Sequence, residues 1–145
     1  MQPRRFVLST IVLSLFNTWP VAQADDAART TQDGLFTLEQ AERGERVYQA
    51  ECASCHAPDM EGGPAARGLS GLTFRYQWAD RPLAALFDVM REKMPPGKPG
   101  ALREQAYLDL LAAILKRNDF PPGEAELEAD EQFLRSMLIR WQRPD

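Results

Sequence analysis

The chain has 145 residues, a formal net charge of −4 and an unremarkable hydrophobic fraction of 44%. Removal of its first segment, which holds Arg4 and Arg5, makes it more acidic still, a poor balance for binding nucleic acid or an anionic membrane surface. The length suits a single small domain.

Met1 to Ala24 reads as a secretory signal: Arg4 and Arg5 form a positive start, Phe6 to Phe16 an apolar core, and Ala22-Gln23-Ala24 a cleavage site. The apolar run is well short of the ~20 residues a membrane span needs. Residues 25–34 are polar and read as a flexible leader with no core to join, so the folded domain is expected over 35–145.

Thr37-Leu38-Glu39-Gln40 has the pattern of a capping box, with Thr37 at the N-cap and Gln40 reaching back. A helix is expected from about Leu38 to Ala50, with Ala41, Gly44, Tyr48 and Cys52 on one face. Gly44 costs about 1 kcal/mol against alanine, which a close helix crossing would offset.

Cys52-Ala53-Ser54-Cys55-His56 follows, and it contains both cysteines and the single histidine of the chain. C-x-x-C-H is the attachment signature of a c-type haem. Two thiols at this spacing can each add to a vinyl group of one porphyrin, and the next residue, His56, can bind the iron. A thioredoxin-like redox pair would need a preceding strand, which the sequence lacks. A zinc site would need further ligands. A Cys52–Cys55 disulfide would close a loop too small to stabilise much.

Residues 59–71, rich in Gly, Pro and Ala, read as loop. Phe74, Tyr76 and Trp78 are candidates to wall a haem pocket, with the Trp78 indole able to bond a propionate; core packing is the alternative, above all for Phe74. A helix is expected from about Pro82 to Lys93, with Leu83, Leu86, Phe87 and Met90 at helical spacing. Pro95-Pro96 stops it and forces Met94 into extended backbone on a stiff loop. A strongly amphipathic helix is expected from about Arg103 to Arg117, capped by Asn118. The stretch 119–131 carries six acids and no base. A last helix is expected to place Phe133, Met137 and Trp141 on one stripe. No strand pattern appears, so the fold class is all-α, with about four to five helices around one covalently attached haem.

With no second histidine, the other axial ligand of the iron is sought among the methionines. Met60 lies only four residues from His56, a cramped path round the ring. Met90 and Met137 read as core. Met94, on its rigid loop, is the expected axial ligand. Lys93 or Lys98 would first have to lose a proton. A His56/Met94 pair fills both axial sites and suits transfer of one electron rather than turnover of a substrate. The alternative is a haem enzyme or gas-binding sensor with an open sixth site. No catalytic set is identified elsewhere.

On these residues the chain resembles class I monohaem c-type cytochromes. The matching pieces beyond C-A-S-C-H are Gly62-Gly63-Pro64, Leu69-Ser70-Gly71, Phe74 with Trp78, the run from Met94 to Leu102, and Tyr107 through Asn118 to Gly123. The run from Met94 onward is similar to cytochromes that serve periplasmic quinoprotein (PQQ-dependent) dehydrogenases. The resemblance implies one covalent haem c on Cys52 and Cys55, axial His56 and Met94, and Trp78 near a propionate. It implies redox partner proteins (a dehydrogenase as donor, a terminal oxidase or another cytochrome as acceptor) and a periplasmic location. It also implies that Gly44 meets the helix of Tyr107 to Leu115. Two positions depart from the family pattern. Ala113 stands where an aromatic is usual, so a looser crossing, or one that borrows Tyr107, is expected. Arg67 stands where a proline is frequent, near the carbonyl that takes the His56 Nδ1 proton; Pro64 and Arg67 bracket that carbonyl. Arg91, Lys93 and Lys98 flank the Met94 loop and offer a basic rim for docking an acidic partner; a solvated face is the plain alternative.

Overall fold

The computed structural model describes residues 30–141. The expected signal segment and the first part of the leader lie outside them. Six α-helices follow in order: α1 (Leu38–Glu51), α2 (Ala53–His56), α3 (Gly71–Trp78), α4 (Leu83–Lys93), α5 (Glu104–Arg117) and α6 (Glu131–Ser136). Among the described residues there is no strand, only isolated bridges. The all-α reading holds. None of these helices is long and apolar enough to cross a membrane.

α5 is the central helix. Every residue from Tyr107 to Leu115 is buried, because the loops and α4 cover the side that α1 leaves open. α1 crosses α5 at Gly44. A Cβ built on Gly44 would fall 2.9 Å from the Ala113 Cβ and far closer to the Asp109 main chain. The small Ala113 is therefore part of the contact, and the crossing is tight. The looser crossing expected from an alanine at this position does not occur, and Tyr107 is not borrowed: its hydroxyl donates to the Met94 carbonyl instead.

Thr37 caps α1, its Oγ1 accepting from the Gln40 N–H at 3.1 Å. The reciprocal half of the capping box is absent. The buried Gln40 side chain turns to the Leu127 peptide, donating to its carbonyl at 3.0 Å and accepting from its N–H at 2.8 Å. Two hydrogen bonds to a buried loop peptide satisfy groups that would otherwise be orphaned, so they win over one exposed cap. The acidic stretch is held to the helices again by Arg43, which bridges Asp109 on α5 and Glu126.

The chain ends differ from the sequence reading. Thr30 to Gly34 is not a free leader. It forms a capped 3₁₀ turn with Thr31 buried. α6 stops at Ser136, so Met137 and Trp141 are not on the helical stripe that Phe133 begins. Beyond it an extended segment bonds to both neighbours: Thr31 N–H to the Leu138 carbonyl, Leu83 N–H to that of Met137, and Ile139 N–H to that of Arg81. A short helix followed by an extended strap satisfies more partners here than a longer helix would. Met137, Ile139 and Leu134 are buried in the core. Trp141 packs on Phe120 and Phe74, with ring centroids 4.6 and 6.0 Å apart.

Candidate functional site

The α1–α2 corner presents Cys52 and Cys55 as free thiols. Cys52 is the residue between the two helices, with φ −122° and ψ −33°, and this break turns α2 away from the α1 axis. Burial pushes the Cys52 thiol up to about 11, with Glu51 and Cys55 adding to the effect. At neutral pH it is a thiol. Tyr48 sits one turn earlier, fully buried, and its hydroxyl donates to the Ala57 carbonyl. That bond pins the residue that ends α2, just past His56.

His56 Nδ1 donates to the Arg67 carbonyl at 2.8 Å. Of the two bracketing candidates, Arg67 supplies the carbonyl. The loop that carries it is tied down from both sides: Gly62 N–H donates to the His56 carbonyl, and Leu69 N–H to that of Met60. With Nδ1 engaged, Nε2 is the ring atom left to bind a metal, and the bond fixes the ring orientation. Asn118, buried at the end of α5, extends the frame. Its Nδ2 donates to the Leu69 and Ile114 carbonyls, and its Oδ1 accepts from the Gly71 N–H. The sequence pointed to Asn118 only as a helix cap.

Opposite this frame, Met94 caps the C-terminus of α4 in extended backbone, as the double proline requires. The Tyr107 hydroxyl donates to its carbonyl at 3.0 Å, so the loop is anchored to the central helix.

Cys52, Cys55, His56, Trp78 and Met94 all line one cleft of about 980 Å³. Leu86, Val89, Met90, Leu110 and Ile114 complete an apolar wall. The volume is at the upper end for small-molecule sites. Trp78 is 3% exposed and lines the cleft. Two of the aromatic candidates behave otherwise. Phe74 is fully buried core, packed on Trp78 and Trp141. Tyr76 walls nothing: it is 95% exposed, because Phe74 and Trp78 hold the inward face of α3. Met60 and Met137 are core residues away from the cleft lining, whereas Met90 lines it beside Met94.

The donor set suits a haem. A ring nitrogen with its partner nitrogen already bonded, a thioether from a second element and two free thiols at one edge share an apolar cleft of the right order of size. The Trp78 indole N–H in the same wall adds a donor for a peripheral polar group.

Residues 39–112 match the family model described as cytochrome c oxidase, cbb3-type, subunit III. No curated protein sequence and no solved structure matches the chain.

Proposed function

We propose that this chain, which belongs to that family of c-type cytochrome domains, is a carrier of single electrons. The family's haem c is covalent, and the chain offers its two cysteines at the C-x-x-C-H spacing. The observation that carries the reading is the cleft itself: His56 with Nδ1 engaged and Met94 on an anchored loop border the same space as both thiols.

In this assignment Cys52 and Cys55 would hold the haem through thioethers, and His56 Nε2 and Met94 Sδ would be the donors to its iron. When bound, the haem supplies a one-electron iron couple. The Arg67 carbonyl fixes the His56 ring and raises its basicity as a ligand. Tyr107 holds the Met94 main chain, and a thioether donor raises the reduction potential. The apolar wall keeps water from the cleft interior. Trp78 offers its N–H to a propionate. With His56 and Met94 both serving as donors, the iron would have no open site for a substrate, which supports a carrier over an enzyme.

The reading extends to place and partners. The signal-like segment and the need for haem attachment outside the cytoplasm support a periplasmic protein. The similarity of the run from Met94 supports a quinoprotein dehydrogenase as donor. The family description, a cytochrome c oxidase subunit, supports a terminal oxidase as acceptor, with another cytochrome as the alternative.

Absorption spectra of the holoprotein test the central claim. A low-spin spectrum in both oxidation states, with haem retained after denaturation, is expected. The Met94→Ala variant is expected to become high-spin. A high-spin wild type that binds carbon monoxide readily would overturn the carrier reading in favour of an open-site haem protein.

A further inference from the structure

α3 buries one side and leaves the other conspicuously apolar. Leu72 is 84% exposed and Tyr76 95% exposed. They are four residues apart, so they share the outward face. The next most exposed large apolar side chain among the described residues, Leu38, is only 48% exposed.

Three arginines surround this face, Arg75 on α3 itself and Arg67 and Arg81 beside it, each held by a neutral contact. Arg67 donates to the Gln77 Oε1 at 3.1 Å. The Arg75 guanidinium lies 5.3 Å from the Trp141 ring centroid, and that of Arg81 lies 4.9 Å from the Trp78 centroid. None of the three pairs with a carboxylate among the described residues, whereas Arg43, Arg91, Lys116, Arg117, Arg135 and Arg140 all do. A hollow of about 360 Å³ borders the patch, lined by Leu72, Arg75, Arg117 and Trp141, with Glu61 and Asp119 also in its lining. Arg67, Gln77 and Trp78 also line the large cleft, so patch and cleft are continuous.

We infer that the α3 face is the docking surface for a redox partner that presents carboxylates around an apolar side chain. This rests on the electron-carrier reading above. Tyrosine and arginine around an apolar centre are the residue types that dominate interface energetics. Uncompensated positive charge on an acidic chain is complementary to an acidic partner and speeds encounter. The Met94 rim is the competing surface. Lys93, Lys98 and Arg103 there are also without ion pairs among the described residues, but Arg91 is paired with Asp88 and no large apolar side chain of that loop is exposed.

The probe is the peptide Glu-Glu-Phe-Glu-Glu, titrated at low salt into the isotopically labelled holoprotein in its reduced state. Amide shifts are expected at Arg67, Leu72, Arg75, Tyr76 and Gln77, weaker when the peptide's phenylalanine is replaced by serine. Shifts confined to Lys93, Lys98 and Arg103, or no shifts, would overturn the proposal. Oxidation by ferricyanide gives a second readout. The Arg67→Glu/Arg75→Glu variant, and separately Thr73→Glu at an exposed position of the same face, should slow it roughly threefold or more at low salt. A larger effect from Lys93→Glu/Lys98→Glu would move the surface to the Met94 loop. A dimer in sedimentation that Tyr76→Ser abolishes would make the occupant a second copy and overturn the proposal. Failure here with a normal low-spin spectrum leaves the carrier assignment standing; absence of covalent haem would sink the carrier assignment on its own.

Discussion

Gly44 of α1 and Asp109 of α5 meet main chain to main chain: a Cβ built on Gly44 falls 1.8 Å from the Asp109 carbonyl oxygen. No real side chain tolerates that distance, and the obstacle is backbone, which cannot swing aside. Gly44→Ala should therefore destabilise the holoprotein by about 1–3 kcal/mol, the cost of overpacking, although alanine is the better helix former. Denaturant unfolding measures it. An unchanged midpoint would mean that the crossing is looser than the structure has it.

That crossing shows how far the sequence carries. Gly44 and the α5 face were legible because both lie on long helices with a clear period. C-x-x-C-H and the Met94 loop were legible because their chemistry is local. α3 was not. Leu72, Phe74, Tyr76 and Trp78 alternate at a period of two, which hides the four-residue spacing of Phe74 and Trp78 that is actually buried. Nor was the strap of Met137 to Trp141, whose conformation depends on bonds to Thr31, Arg81 and Leu83, all remote in sequence. Gln40 is a similar case. Its local cap pattern was overridden by the Leu127 peptide, a contact with no signature in the sequence around it.

Asn118 should matter more than a helix cap. Its side chain serves two carbonyls and one N–H that belong to the loop before α3 and the last turn of α5. Asn118→Ala removes three hydrogen bonds, but the Ile114 carbonyl keeps the Asn118 main-chain N–H and Gly71 is exposed to water, so the loss should be about 1–3 kcal/mol, mostly from the half-buried Leu69 carbonyl. Asn118→Asp keeps an acceptor for Gly71 but sets a carboxylate against the Leu69 and Ile114 carbonyls, and should be no better. Thermal unfolding of both variants decides it; a near-neutral aspartate would show that only the Gly71 bond counts.

The Tyr48 hydroxyl is pushed up to about 12, first by burial and then by Cys52 and Asp59. In the unfolded chain it ionises near 10. Its folded-state pKa is the higher of the two, so the fold holds the proton more tightly. The associated stability is complete below pH 10 and is lost as pH rises from there through 12. Unfolding followed across this alkaline range should show stability falling, with tyrosinate absorbance appearing late. Tyr48→Phe should be less stable at neutral pH, because the Ala57 carbonyl loses its partner, yet flatter across the alkaline range. A variant with the wild-type slope would assign the alkaline loss to another group.

Tyr107 gives the sharpest test of how the Met94 loop is held. Its hydroxyl is the side-chain donor to the Met94 carbonyl, at 3.0 Å, from a helix that is otherwise sealed. Tyr107→Phe keeps the ring and its packing and removes that one bond. Global stability should fall by only about 1 kcal/mol. The local effect should be larger, because the loop's tether to α5 is gone while the Met94 side chain remains. If Met94 is the axial donor, exogenous imidazole should displace it more readily in the variant, seen as a shift of its binding midpoint to lower concentration. The unfolding midpoint sets the scale for comparison. If imidazole affinity changes no more than global stability does, the tether plays no part in holding the ligand. If Met94→Ala and the wild type bind imidazole equally well, Met94 is not the ligand at all.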